Sequence, residues 1–213
     1  MDFDVLIIGG GAAGMSCALV LGSAQNKAFA ADKKIGIIMH QRSSALDGAL
    51  FNNVLGLEPG TTGKELLDSG KSQLASCYPH VVQIEKEKVS AALKTEKGYK
   101  VQTNKNSYNT KIVVVAVGPS NLFNIEGLMD YVEPHPNLPA AKQRIQLRNE
   151  NHRVDENLYV AGVLAGWRSQ FAMAAGSGAH VATDILTLWN DGNTAMVHDS
   201  VKAPGDTPPF RAR

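Results

Sequence analysis

Apolar residues run unbroken from Val5 to Ile8, the pattern of a strand covered on both faces of a parallel sheet, and Phe3 extends the predicted strand to Phe3–Ile8. Glycines follow at once, and small and apolar residues from Ala12 to about Ser23 predict a helix packed tightly on that strand. Lys34–His40 (KIGIIMH) predicts a second buried strand, which completes a βαβ unit. The stretch Ala24–Lys33 is longer than such a junction needs and predicts an extended or distorted helix end. Further on, Thr61-Thr62 offers an N-cap, and Leu66, Leu67, Gly70 and Leu74 recur at helical spacing until Pro79 stops the helix after Tyr78. Three short β-rich pieces come next: His80–Ile84, Val89–Thr95 and Tyr99–Thr103. They read as antiparallel and half exposed, the last two joined as a hairpin across Lys97-Gly98. Ile112–Val117 (IVVVAV) returns to the buried-strand pattern and closes on Gly118-Pro119.

Pro134, Pro136 and Pro139, with the polar run Gln143–Asp155, predict an irregular connection that no further domain fits inside. A short buried strand at Leu158–Ala161 and a helix over Gln170–Trp189 complete the pattern. Phe171, Ala174, Ala175, Gly178, Val181, Ala182, Ile185 and Trp189 share one face of that helix. Beyond Asn190 the chain turns polar and then proline-rich, so a poorly ordered tail is expected over 199–213. The expected organisation is one domain over residues 1–190, in two sequence halves, 1–128 and 152–190, that the irregular connection joins. The expected class is α/β: a Rossmann-like three-layer domain with a central parallel sheet, one helical layer and a small antiparallel meander.

Composition acts mainly by exclusion. In 213 residues, 44% of them hydrophobic, 21 Lys and Arg meet 20 Asp and Glu for a formal net charge of +1. That balance offers no basic face to nucleic acid. Glycines and Ser16 interrupt the apolar stretch between Val5 and Val20, which suits a strand, turn and helix and not a membrane span. Asp2 and Asp4 are the only charges ahead of it, where a signal peptide carries positive ones, so a cytoplasmic location is expected. Cys17 and Cys77 form no Cys-x-x-Cys and have no paired histidines near them, so neither a local redox disulfide nor a metal site is expected. Cys17 reads as a small buried residue and Cys77 as a helix end. His40, His80, His135, His152, His180 and His198 stand without a partner at any catalytic spacing and read as surface or helix positions. No catalytic residue is assigned.

Chemistry enters with Gly9-x-Gly11-x-x-Gly14, because the motif follows a predicted strand and opens a predicted helix. Gly9 lets the chain turn. Gly11 lets backbone N–H groups approach a pyrophosphate, expected over Gly10, Gly11 and Ala13, and Gly14 allows close helix packing while the helix N-terminus faces the anion. Dinucleotide binding is the prediction. The acid that usually ends the second strand and bonds the adenosine ribose is absent, since the strand closes Met39-His40-Gln41-Arg42. Gln41 still suits a ribose hydroxyl and Arg42 a phosphate, which keeps NADP open as the ligand.

Together with the glycine loop, three later segments make the chain similar to thioredoxin-reductase-type flavoproteins to about residue 190. Asn53, three residues before Gly56, leads into Gly63-Lys-Glu-Leu-Leu, as the family's FAD-contacting asparagine leads into its next helix. Ala116-Val117-Gly118 stands where the family's strand ends Ala-Thr-Gly. Asn157-Leu-Tyr-Val-Ala-Gly162, followed by Arg168-Ser-Gln170-Phe-Ala-Met-Ala-Ala-Gly-Ser-Gly178, resembles its final strand and last helix. The resemblance implies FAD as the cofactor. The contacts it implies begin with Gly9, Gly10, Gly11, Ala12, Ala13 and Gly14, and continue through His40, Gln41 and Arg42 at the end of the second strand. Gly48, Asn53 and Lys86 follow, then Ala116, Val117 and Gly118. The last are Gly162 and Val163, with Ser169, Gln170 and Phe171 opening the final helix.

Departures from the family pattern shape the expected activity. Val163 stands where the family has an aspartate on the ribityl chain, and Ser169-Gln170, with Arg168 one place early, replaces an Arg-Gln pair at the flavin ring. Between Gly118 and Leu158 there is no room for the family's inserted NADPH domain, for which about 100 residues are expected, and its redox Cys-x-x-Cys is missing. The resemblance therefore implies an FAD-dependent oxidoreductase that works with an external small-molecule or protein redox partner, and a homodimer formed through the flavin domain. Trp167 reads as a lid on the isoalloxazine or as ordinary aromatic packing, and His180 as a packed or solvated residue or one approaching the flavin. The alternatives are a non-catalytic FAD carrier or redox sensor, a single-domain NAD(P)-binding protein, and a domain that keeps the fold without a nucleotide.

Overall fold

In the computed structural model, residues 2–40 and 46–198 are described. Strand β1 (Asp2–Ile8) buries Val5, Leu6 and Ile7 completely, as its unbroken apolar run requires. Helix α1 (Ala12–Ser23) leads from it, and β2 (Ile35–Met39) returns parallel to β1 with Val5 opposite Ile35. Consecutive turns fill the junction between them: Lys27 N–H donates to Ala24 O (2.8 Å), Ala30 N–H to Lys27 O (2.9 Å) and Lys33 N–H to Ala30 O (3.1 Å). The helix end is thus distorted, as the length of the junction predicts. The short antiparallel pair β3 (Leu50–Phe51) and β4 (Thr61–Thr62) closes the loop that carries Asn53. Helix α2 (Gly63–Cys77) starts from a capping box, in which Thr62 Oγ1 accepts from Glu65 N–H (3.3 Å) and Glu65 Oε2 accepts from Thr62 N–H (2.8 Å).

Strand β5 (Val82–Glu85) corrects the reading of an antiparallel first piece: it lies parallel to β2, at the edge of the main sheet. A helix precedes it, so it completes a second crossover, where parallel pairing is the rule. Strands β6 (Val89–Thr95) and β7 (Gly98–Thr103) form the expected hairpin, with Thr95 opposite Gly98, so Glu96-Lys97 makes the turn and not Lys97-Gly98. Strand β8 (Ser107–Val115) starts earlier than predicted, because Ser107–Thr110 pairs antiparallel to β7 while Asn109–Val115 runs parallel to β1.

The connection read as irregular is also more ordered than expected. After a 3-10 turn at Met129–Tyr131, β9 (Val132–Pro134) and β10 (Ile145–Leu147) form a separate antiparallel ribbon, with a second 3-10 turn at Ala140–Lys142 between them. Strand β11 (Arg153–Asp155) pairs antiparallel to β12 (Leu158–Val160), which joins the main sheet parallel to β8. A 3-10 turn at Gly162–Ala165 then leads to α3 (Phe171–Trp189).

The sheet order is β11-β12-β8-β1-β2-β5, with β7 and β6 continuing from β8. On one face Val5, Ile7, Ile35 and Ile37 pack with Cys17, Ala18 and Leu21 of α1, Leu74 of α2, and Val181 and Ile185 of α3. On the other face Phe3, Leu6 and Ile8 pack with Tyr99, Val101 and Tyr108 of the meander. These are the three expected layers: helices, parallel sheet, antiparallel meander. Each large side chain so buried contributes about 1.5–3 kcal/mol. No helix among the described residues is long and apolar enough to cross a membrane.

Candidate functional site

All five parallel strands point the same way, and hydrogen bonds carry their ladders one residue past the strand ends. Gly9 N–H donates to Ile38 O (2.9 Å), Ala116 N–H to Ile8 O (2.8 Å), Ala161 N–H to Val115 O (2.9 Å) and Lys86 N–H to Met39 O (2.9 Å). The carboxyl ends of β12, β8, β1, β2 and β5 therefore form one rim. It gathers Gly162, Ala116, the Gly9–Gly14 loop, His40 and Lys86, residues far apart in sequence but grouped as one predicted site. The chain leaves β1 for β2 and β5 on one side and later returns to β8 and β12 on the other, and the rim at such a switch of strand order is where open α/β sheets bind ligands.

Three helices start at the rim, and their N-termini differ. The capping box closes that of α2. Neither α1, with Gly11 at its N-cap, nor α3, with Gln170 at its N-cap, has a side-chain cap or an acid in its first turn. Their first N–H groups lack carbonyl partners within the helix and face the rim, an arrangement that favours an anion. A Cβ on Gly11 would meet nothing within 4 Å, so that space is open. Gly9 has φ +115° and would press a Cβ onto Ala116 O at 2.5 Å, while a Cβ on Gly14 would overlap the Gly9 carbonyl. The three glycines therefore divide the duties expected of them: turn, open approach and close packing. Gly178, two turns into α3, sits against the Ala13 carbonyl, and Gly162 faces Ala13 Cβ, which sets the start of α1 against the first turns of α3.

The segment Gly162–Phe171 is held from several directions. Gly162 N–H donates to the fully buried Ser177 Oγ (2.7 Å). His135 Nε2 lies 2.8 Å from Val163 O, and Asn137 N–H donates to His135 Nδ1 (3.1 Å). That second bond fixes the proton on Nε2, so His135 donates to Val163. Asn137 Nδ2 donates to Gly166 O (2.8 Å) and Asn149 Nδ2 to Ala165 O (3.3 Å). His152 Nδ1 lies 3.0 Å from Val160 O and 3.4 Å from Ser177 Oγ, and its ring stacks near Trp167 (5.3 Å) and His180 (5.0 Å). Burial holds the His152 imidazole below its ordinary pKa, and the Val160 carbonyl partly opposes that shift.

Two histidines thus depart from the surface reading: His135 and His152 are buried. His180 lies well along α3, 3.4 Å from Asp184, away from the helix N-terminus. Trp167 packs on His152 and is 38% exposed. No sequence periodicity marks His135, Ser177 or His152, although Ser177 stands between Gly176 and Gly178 in the stretch that carries the family resemblance.

Other predicted residues fall as follows. Gly48 is exposed in a turn, and Asn53 is exposed in the loop between β3 and β4. That loop is tied to α3, because Phe51 packs on Phe171 with centroids 5.2 Å apart. Ser169 and Gln170 are exposed ahead of α3, Val117 and Val163 are half buried, and Gly118 faces open space. Gln41 and Arg42 lie outside the described residues, as does the predicted tail. Cys17 is buried within α1, which pushes its thiol pKa far up, and Cys77 is the last residue of α2; both are free. No cluster able to hold a metal is present among the described residues.

A dinucleotide suits this rim: an open, uncapped helix N-terminus over a glycine loop, with a second one following the rim end of β12. Comparison with known proteins agrees. Residues 3–180 match the pyridine nucleotide-disulphide oxidoreductase family. No curated protein matches the chain significantly. Among solved structures, a thioredoxin reductase from Gloeobacter violaceus superposes with a TM-score of 0.72 at 15% identity, over 95% of this chain and 99% of that one. The oxidoreductase from Agrobacterium tumefaciens gives 0.68 at 14% identity, over 88% and 99%. A ferredoxin-flavin thioredoxin reductase from Clostridium acetobutylicum gives 0.65 at 15%, over 89% and 99%. At these identities the likeness is one of fold.

Proposed function

The chain belongs to the pyridine nucleotide-disulphide oxidoreductase family, and from that premise we propose that it is an FAD-dependent oxidoreductase working with an external electron donor or acceptor. The observation that carries the reading is the pair of uncapped helix N-termini, α1 and α3, that follow the rim ends of β1 and β12, with the start of α1 packed against α3. Gly10, Gly11 and Ala13 would hold the pyrophosphate, and the Gly162–Val163 segment and the start of α3 would hold the flavin half. Bound FAD supplies hydride and electron transfer; the protein's part is to orient it and to shape access. An external partner is inferred because β8 and β12 are adjacent in the sheet and the chain between them forms the β9–β10 ribbon. Neither cysteine offers a vicinal thiol, since Cys17 is buried and Cys77 ends α2.

The absorption spectrum of the purified protein tests this directly. Flavin bands, with FAD as the released cofactor, are the expected result. A colourless protein that takes up no FAD on titration rejects it. The buried, unreactive Cys17 thiol also favours a second reading, a non-catalytic flavin carrier, which differs in showing flavin bands but no turnover with any donor and acceptor pair.

A further inference from the structure

We propose that His135 and Ser177, the latter backed by His152, are positioning residues that clamp the Gly162–Val163 backbone and orient the flavin half of the cofactor. The inference rests on the FAD reading above and extends it to residues outside the nucleotide loop. Neither Gly162 nor Val163 has a polar side chain, so this segment can offer a polar ligand only its peptide groups. The N–H groups that open a 3-10 turn have no partner within it. Which way they point is decided by the bonds on either side.

Those bonds come from opposite layers. From the helical layer, Ser177 Oγ accepts the Gly162 N–H at 2.7 Å. From the β9–β10 ribbon side, His135 Nε2–H donates to Val163 O at 2.8 Å, and Asn137 fixes that tautomer. His152 Nδ1 lies 3.4 Å from Ser177 Oγ and its Nε2 is buried without a partner; its left-handed backbone (φ 71°), like that of Asn151 (φ 45°), belongs to the two-residue turn closed by the paired Glu150 and Arg153 backbone bonds. The same bonds would be surplus in a segment with only a packing role.

The test compares FAD with ADP, which contains the pyrophosphate half and no flavin. Titrations of apoprotein are run on the wild type, His135→Ala, His135→Gln and Ser177→Ala. Loss of one orienting bond is expected to weaken FAD roughly tenfold while ADP affinity stays constant. His135→Gln keeps a side-chain N–H donor and is expected to recover most of the loss. Parallel weakening of FAD and ADP in the Ala variants reduces these residues to general support of the fold, and unchanged FAD affinity removes the clamp altogether; either result overturns the proposal. Should His135→Ala fail to fold, Ser177→Ala decides alone. A wild-type protein that binds FAD no tighter than ADP fails at the level of the flavin reading itself, which separates the two failures.

Discussion

Gly11 and Gly14 stand three positions apart in one motif and tolerate change in opposite ways. A side chain at Gly11 enters open space, whereas one at Gly14 enters the Gly9 carbonyl. Gly11→Val is therefore expected to fold with an unchanged apoprotein Tm and to lose FAD, because the new side chain fills the anion's approach. Retained FAD affinity in that variant would show the loop to be misassigned. Gly14→Ala should instead destabilise the apoprotein by at least about 3 kcal/mol, the upper range for overpacking, readable as a lower denaturant midpoint. Val163 is half buried on the rim, and its carbonyl, not its side chain, is held by His135. Val163→Asp should leave that bond in place and tighten FAD by about 1 to 2 kcal/mol through a new acceptor; weaker binding on titration argues against ribityl contact there. The glycines were legible because their spacing is a backbone requirement. His135 and Ser177 were not, since a single buried polar residue gains its meaning only from partners 28 and 15 positions away.

Among the elements, the meander is held by one buried acid. Glu87 accepts from Thr103 Oγ1 (2.6 Å), Asn106 Nδ2 (2.7 Å) and Tyr108 OH (3.0 Å), joining the start of β6 to β7 and β8. Burial pushes its carboxyl pKa up, but these hydrogen bonds and the Lys105 charge outweigh burial and leave it below the usual value of 4.5. A carboxyl depressed in the folded state gives stability that is complete above the unfolded pKa and is lost as pH falls through the folded one. The wild type is thus expected to lose stability below about pH 4.5, near the ordinary glutamate value. Glu87→Gln should be less stable at pH 7 by about 1–3 kcal/mol and should show a smaller acid loss; equal pH slopes in chemical denaturation refute this role. Pattern reading found the β6–β7 hairpin because alternation over a full strand is visible. It missed the parallel pairing of β5, since a strand of three half-buried residues and one exposed looks alike on either kind of edge. It missed β9 and β10 because three-residue strands lie below any periodic window, and β9 ends on Pro134, which has no N–H to pair.

At the scale of the whole molecule, α/β class and layer order followed from the βαβ unit, the later buried strands and the meander. The packing of the first helix on the last did not, because nothing in local pattern says that Ala13 meets Gly178. The proposed electron supply is tested at this scale too. With β12 joined to β8 through a short ribbon and no thiol pair beside the rim, bound FAD is expected to be reduced only slowly by NADH or NADPH and not to pass electrons to a thioredoxin disulfide. Dithionite or light should still reduce it. Anaerobic stopped-flow mixing follows the oxidised flavin band; rapid saturable bleaching with a micromolar constant for either nucleotide reverses the conclusion. The contact of α1 with α3 has one more consequence, for the order of events during synthesis. The ribosome releases the glycine loop well before the helix that seats it, so the loop must wait, unseated, while the more than 150 residues between them emerge. On the proposed FAD reading, capture of the flavin is expected only after that helix has emerged, and nascent chains halted at residue 160 should purify colourless even though every glycine of the loop has been made.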